Sequence, residues 1–582
     1  MDGPGIKIKP MVNRQLFKTN NHKPQVRAAL LWLLPVAFLS IFFYQPLIAI
    51  FKLIFSAQFS ASWSSFNWNS ILKPLGFTFY QATLSTLLTL LLGLPSAYIF
   101  SHFNFAGKKL MRLLTTISFI LPTVVVAAGF NALLGPRGWL NLGLMALFGL
   151  DQAPIQFLNT FPAILLAHVF YNTTIIIRIV GSAWAGQNDR LEQAAQMLGA
   201  HPWRAFREIT LPMLSPAIAA ASLLVFLFNF TSFGVVLMLG GPQYATLEVE
   251  IYTQAFHMLN LPLAGLLSLV QLACTLGITV LYNRLSQTRA SNLMPVSQAE
   301  TLRRPTRVWE KVMVGVVVVI LFVLIASPLL ALSLRSVVRL EAARGERAEV
   351  TAGFTLAYYK ELFVNRQGSL FYVPPIQAMR NSLTYSILTV LISVSMGTLV
   401  AYAMDQRSRL NRWLDPFIML PLGASAVTLG LGFIVVFNMP PWNQPEFPLL
   451  VPIAHSLVAL PFVVRSLLPT LRNIPPSLRQ AAGMLGASPL QVFREVDLPI
   501  LMRALLVSAV FAFTISLGEF GASSFITTPE NPTIPVAIYR YISQPGALNY
   551  GQALAMSTLL MAVCTAGIWL IEKVRLPGEE VF

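Results

Sequence analysis

Charge is what this chain has least of. Only 11% of its 582 residues are Asp, Glu, Lys or Arg, where soluble domains carry about a quarter, so an ordinary water-soluble globule is excluded. Acids are scarcest, 23 against 40 basic residues, and there are six histidines and two cysteines. Cys274 and Cys564 each stand inside an apolar run and precede a threonine. They are read as small packing residues, not as a disulfide or a metal site. No Gly-x4-Gly-Lys-Ser/Thr sequence occurs, since Ala106-Gly107-Lys108-Lys109 lacks both the upstream glycine and the hydroxyl. Without that phosphate cradle the chain is not expected to hydrolyse ATP or bind a cofactor of its own. The formal charge of +17 sits in short segments between apolar runs, with no basic stripe interleaved with aromatics, which excludes nucleic acid as a partner.

What the chain has in abundance is apolar length. Hydrophobic residues make up 55% of it and the mean hydropathy is +0.66. Runs of about 20 residues, enough to cross roughly 30 Å of hydrocarbon as helices, predict an all-α polytopic membrane protein. Helices satisfy their own backbone groups where lipid offers no partner. Twelve spans are expected, at 29–54, 77–102, 111–135, 159–183, 213–238, 260–283, 311–335, 380–404, 413–438, 449–470, 500–526 and 551–573. Gly138–Leu150 is too brief to cross and is expected to be interfacial or re-entrant. Lys7, Lys9, Arg14, Lys18, Lys23 and Arg27 against Asp2 alone make 1–28 a cytoplasmic tail by the positive-inside rule. Counting forward, the Lys108/Lys109/Arg112 and Arg407/Arg409/Arg412 turns and the C-terminus fall on the same side. The first span is read as a retained helix. The mixed-charge segment Arg335–Gln377 is expected outside, with a short surface helix around Phe354–Phe363.

The chain repeats itself. Leu191–Pro212 returns 287 positions later as Leu478–Pro499, with 14 of 22 positions identical. Ala167-His168, Arg178, Phe233-Gly234, Thr246 and Ile251-Tyr252 recur in the same register as Ala454-His455, Arg465, Phe520-Gly521, Thr533 and Ile538-Tyr539. Six spans per copy make the halves parallel, related by a pseudo-two-fold axis along the membrane normal. The first half is placed at 29–284, a cytoplasmic linker at 285–310 and the second half at 311–582. Each repeated island reads as a helix–turn–helix. Ala194-Ala195 and Ala481-Ala482 favour helix, Gly199 and Gly486 suit a left-handed helix end, and Pro202 and Pro489 suit a first turn. Leu211-Pro212 and Leu498-Pro499 are expected to break the second helix ahead of the next span.

Gln-Ala-Ala-x3-Gly-x9-Ile-x-Leu-Pro at 193–212, with Val496 in place of Ile209 in the copy at 480–499, resembles the EAA loop of ABC importer permeases. The resemblance covers nearly the whole chain and is to the fused two-half permeases of the ferric-iron, thiamine and polyamine group, with a lean to ferric iron. It implies the fold of a type I ABC importer permease in a bacterial plasma (inner) membrane. Two copies of an ABC ATPase subunit, which use the ATP and Mg, would dock on the cytoplasmic side, and an extracytoplasmic substrate-binding protein would deliver substrate. The coupling residues it implies are Gln193, Ala194, Ala195, Gly199, Ile209, Leu211 and Pro212, with Gln480, Ala481, Ala482, Gly486, Val496, Leu498 and Pro499. The acidic residue that leads the family motif is Gln193 or Gln480 here, with Glu192 before the first and Arg479 before the second.

Within the spans, Glu519 is the costliest group to leave in lipid. It reads either as a cavity or gate residue or as a helix end at the outer surface. Its counterpart, Ser232, is a candidate for the translocation path as well. Tyr171, Asn172 and Asn229 are candidates for the translocation path or for hydrogen bonds between helices. His168 and His455 lack companions at ligand spacing and are read as packing, and Arg178 and Arg465 as snorkelling to headgroups. The alternative to an importer permease is an ion-coupled secondary transporter with two six-helix halves, which needs several buried carboxylates. A membrane-embedded enzyme would need acids, His or Cys clustered at one depth.

Overall fold

The computed structural model describes residues 22–55, 67–187, 190–287, 302–339, 353–364, 373–406, part of 411–423, 424–437 and 449–574. Most of the expected tail 1–28 and linker 285–310 lies outside them. Among the described residues the protein is all-helical except for one two-stranded antiparallel ribbon, β1 (Val338–Arg339) with β2 (Gly353–Phe354). Among the described residues ten helices are long and apolar enough to cross a membrane, or eleven if one sharply bent pair counts as a span, against the twelve expected.

In chain order the first half runs α1 (Leu31–Ile54), α2 (Asn69–His102), α3 (Lys108–Ile120), α4 (Thr123–Leu134), α5 (Trp139–Phe148) and α6 (Phe161–Ala185). The expected span at 111–135 is therefore not one helix. The chain turns through 112° between α3 and the segment that follows. Pro122 has no N–H and pushes Leu121 to extended backbone, φ −60° and ψ 139°, so α3 cannot continue. The segment expected to be too brief to cross is α5, a ten-residue helix. Asn141 pins it, donating to the Gly135 and Ile155 carbonyls and accepting from Ile155 N–H at 2.8–2.9 Å.

Next come α7 (Arg190–Met197), α8 (Pro202–Phe230), α9 (Gly234–Leu239), α10 (Leu247–Phe256) and α11 (Leu261–Gln287). The prolines at 212 and 499 do not break their helices, contrary to expectation. Pro202 to Phe230 is one helix of 29 residues, and its second-half partner Pro489–Gly518 is one of 30. Each passes through a five-residue π turn, Phe206–Thr210 or Phe493–Asp497, immediately before the Leu-Pro pair. The wider turn accommodates a residue that cannot donate. The real breaks lie further on, at Thr231–Phe233 and at Glu519–Phe520, inside the expected spans 213–238 and 500–526.

The second half comprises α12 (Val308–Arg335), the surface helix α13 (Ala357–Glu361), α14 (Pro375–Asp405), α15 (Ala426–Phe437), α16 (Leu450–Arg472), α17 (Pro476–Met484), α18 (Pro489–Gly518), α19 (Gly521–Ile526), α20 (Ile534–Ser543) and α21 (Ala547–Val574). Of the span expected at 413–438, the continuous described helix is α15, 12 residues long. At 1.5 Å per residue it covers about 18 Å, too little to cross.

The halves of the sequence are not the halves of the packing. Trp32, Leu39 and Phe43 of α1 pack with Val400, Phe433 and Leu457 of the second half, and Tyr44 donates to the Phe417 carbonyl at 2.8 Å. Reciprocally, Val314, Val317 and Leu321 of α12 pack with Ile99, Phe103 and Met111, and Trp139 donates to the Ala331 carbonyl. Each half thus lends its first helix to the other. A division at 285–310 separates the chain but not the core, because the largest cluster unites Val124–Ala128 with Leu517, Phe520 and Ile538.

Candidate translocation cavity and coupling elbows

The two repeated islands fold alike. In the first, α7 is followed by a turn at Gly199, whose φ of +89° is the left-handed conformation that a side chain would strain. Its N–H bonds the Gln196 carbonyl and that of Ala200 bonds Ala195. Gly486, at φ +86°, repeats this with Gly483 and Ala482. His201 and Ser488 cap the next helix, the latter through a reciprocal box with Gln491. The expected coupling residues fall on these elbows. Gln193, Ala194, Pro212, Gln480, Ala481 and Pro499 are exposed, while Ala195, Ile209, Ala482, Val496 and Leu498 are half-buried against the elbow interior.

Sequence reasoning missed the tips. Met197 and Leu198 are 89% and 90% exposed, and their counterparts Met484 and Leu485 are 84% and 90% exposed. Trp203 and Leu490 stand out beside them. Such paired, exposed apolar residues are the kind of patch that interaction sites present. The signal was available, since Met-Leu is identical in both copies.

Glu192 and Arg479, the residues that precede the departures from the family pattern at Gln193 and Gln480, have an internal use. Thr210 donates to Glu192 at 2.8 Å, bracing the first elbow. At the matching places, Arg479 donates to Asp497 at 2.8 Å and also to Asp405, the last residue of α14, at 3.0 Å. Burial pulls the Arg479 pKa down, but the hydrogen bonds to Asp497 and Asp405 outweigh it and the net shift is upward. One strut is a hydroxyl–carboxylate bond and the other an ionic bridge to a membrane helix. Arg479→Ala should lower transport about 10- to 150-fold, the equivalent of one charge-assisted bond of roughly 1.5–3 kcal/mol. The triple change Arg479→Glu, Asp497→Thr and Asp405→Ser, which installs the first elbow's chemistry, should recover most of it. Uptake by reconstituted protein measures both, and a triple variant no better than the single one would refute the strut.

Where α8 and α18 break, the two halves meet around a cavity of about 370 Å³. Phe233 and Phe520, equivalent residues just past each break, stack on one another at 5.4 Å and 22°. The cavity reaches from this pair toward the elbows, along Phe228 and Phe511 of the two long helices and Val458 and Phe462 of α16. Of the candidate path residues, Glu519, Ser232, Tyr171 and Asn172 line it. Asn229 does not. It is fully buried behind the wall, accepting from Asn172 at 2.7 Å through its side chain and from Gln81 at 2.8 Å through its backbone carbonyl. It therefore orients Asn172.

The histidines hold the breaks. His168 bridges Ser85 and Ser232, both at 2.9 Å. His455 reaches Ser516 and Ser523 at 2.8 Å and Glu519 at 3.2 Å. Glu519 lies neither at the outer surface nor free in the cavity. It is buried at the break, with extended backbone, and its carboxylate accepts from the N–H groups of Ala522 and Ser523, at 2.9 and 3.0 Å. Among the described residues no group of three or more His, Cys, Asp or Glu is placed to hold a metal ion. Arg178 reaches Thr116 at 2.6 Å and Glu572 at 3.8 Å, tying helices together where snorkelling was expected, whereas Arg465 is exposed.

Two parallel helical halves, paired elbows continuous with membrane helices and a cavity between them define a membrane permease. The family described as "Binding-protein-dependent transport system inner membrane component" matches residues 85–339 and 393–574, and this chain belongs to it, as a multi-pass inner membrane protein of the fused, two-half kind. The chain is 27% identical over 518 residues to the thiamine transport system permease protein ThiP of Escherichia coli (strain K12), covering 87% of this chain and 89% of that protein. It is 26% identical over 538 residues to the probable ABC transporter permease protein y4fN of Sinorhizobium fredii, covering 91% and 92%. Among solved structures, 46% of the chain matches 99% of a chain from a bacterial ABC transporter involved in import of the polysaccharide alginate, at 20% identity and a TM-score of 0.40, too low to bear on substrate.

Proposed function

We propose that this chain is the permease of an ATP-driven importer whose substrate is a thiamine-like aromatic cation. The observation that carries the reading is the pair of apolar-tipped elbows, each rigidly continuous with a long helix that breaks at the central cavity. By the positive-inside rule the elbows and both termini are cytoplasmic. Two ATPase subunits dock there, one on each elbow, and supply the ATP and Mg chemistry. A substrate-binding protein docks on the opposite face. A push on an elbow tilts its helix as a lever, and the halves rock about the breaks, parting Phe233 from Phe520 on one side as they close on the other.

Ferric iron is the weaker reading. Seven aromatic side chains line the cavity, namely Phe119, Tyr171, Phe228, Phe233, Phe462, Phe511 and Phe520. Such walls suit a ring-bearing organic cation better than a hard metal ion, which takes oxygen ligands. The name of the Escherichia coli relative points the same way. The test is reconstitution. The chain should copurify with two ATPase subunits, and vesicles holding that complex should take up thiamine only with ATP and the loaded binding protein. Uptake driven by an ion gradient without any ATPase would instead establish a secondary transporter.

A further inference from the structure

Two carboxylates line the cavity, and they are not equivalent. Glu519, which the sequence made conspicuous, is spent. Its Oε1 accepts from Ala522 N–H, and its Oε2 accepts from the N–H and hydroxyl of Ser523, with His455 Nε2 beside it. Its work is to hold the break. Glu248, in the first turn of α10, is 1% exposed, and Gln271 donates to its Oε1. Among the described residues no donor lies within 3.5 Å of its Oε2, and the Ser425 hydroxyl is its one further polar neighbour. Ser425 turns its hydroxyl to Thr428 Oγ1, at 3.0 Å. A buried carboxylate left half-satisfied is costly to the fold, and in a membrane protein such a group marks a substrate path.

The repeat adds a second constraint. The position equivalent to Glu248 is Pro535, so the opposite wall offers no matching acid. Tyr171 and the stacked Phe233–Phe520 pair line the same cavity, and aromatic rings attract cations. A volume of about 370 Å³ falls at the small end of the ligand-site range of roughly 300–1,000 Å³. We infer that Glu248 is the residue with which the permease itself recognises its substrate, by pairing with the single positive charge of a ring-bearing organic cation held against the aromatic wall. The inference rests on the importer reading above and extends it: selection by charge is repeated inside the membrane subunit, after the binding protein has released its cargo. One acid on one wall suits a monocation. A polyamine, with several charges along its length, lacks the second anchor.

The permease–ATPase complex, purified without the binding protein, is tested by equilibrium dialysis against radiolabelled thiamine and against its uncharged thiophene-ring isostere. Wild type should bind thiamine saturably and at least about tenfold more tightly than the isostere. Glu248→Gln should weaken thiamine about tenfold or more and leave the isostere unchanged, whereas Glu248→Asp, which keeps the charge, should stay within about threefold of wild type. The inference is overturned by equal wild-type binding of the two compounds, by the absence of saturable thiamine binding, or by a Glu248→Gln complex that binds thiamine normally. Should Glu248→Gln fail to assemble, the wild-type comparison of charged and uncharged ligand decides alone. Failure of the importer reading shows separately, as wild-type vesicles with no nucleotide-dependent uptake.

Discussion

Replacing Met197-Leu198 and Met484-Leu485 with Asp-Asp pairs is expected to abolish ATPase association and to cut transport more than about 100-fold. The reason is the location of the apolar surface. These four side chains are 84–90% exposed, so their removal costs the folded chain little, within about 0.5 kcal/mol for each surface change. As anchors in a partner's cleft, each is worth roughly 2 kcal/mol or more, and a carboxylate placed there would be buried without a partner. Copurification with the ATPase and the thermal midpoint of the purified permease separate the two effects. An unaltered midpoint with no bound ATPase is the expected pair of results. A variant that still holds its ATPase would remove the elbows from the coupling path. Gly199 and Gly486 bear on the same surface more weakly. A Cβ there meets nothing within 4 Å, and the penalty for a side chain comes from the positive φ alone.

Glu519→Ala is expected to destabilise the permease by about 3–5 kcal/mol, the cost of breaking a buried charged network from one side. The change leaves two backbone N–H groups at the start of α19 without their acceptor and removes the carboxylate beside His455. Ser232→Ala, at the equivalent position, loses one neutral hydrogen bond to His168 and should cost only about 1 kcal/mol. Thermal unfolding of the two variants in the same detergent gives the comparison. Equal losses would mean that the second break does not depend on its acid, and that Glu519 is free for the substrate after all.

These two expectations differ in how far the sequence reaches. The elbows were legible because a helix–turn–helix in water is built from local chemistry: a glycine at a left-handed end and a proline in a first turn. The same chemistry misled at Leu211-Pro212 and Leu498-Pro499, where a proline ordinarily ends a helix. The π turns before them absorb the missing donor, and whether a turn widens in this way depends on packing beyond the local sequence. Glu519 drew notice as a lone acid in an apolar run, and only its neighbours reveal that its oxygens are engaged. Glu248 was passed over because it lies in a short polar connection between spans. Comparison with the second half also pointed away from it, since Pro535 is its partner position.

From the residues alone came the membrane-spanning class, the doubled architecture and the two elbows, since hydropathy, periodicity and the glycine and proline signals act over a few residues and are written in order along the chain. Only the tertiary structure decided that each half surrenders its first helix to the other, that two long helices break where Phe233 meets Phe520, and which of two buried acids still has an oxygen to offer. Those outcomes depend on contacts between segments hundreds of residues apart. The free energy of such contacts belongs to pairs of surfaces, and a linear pattern records each surface without its partner.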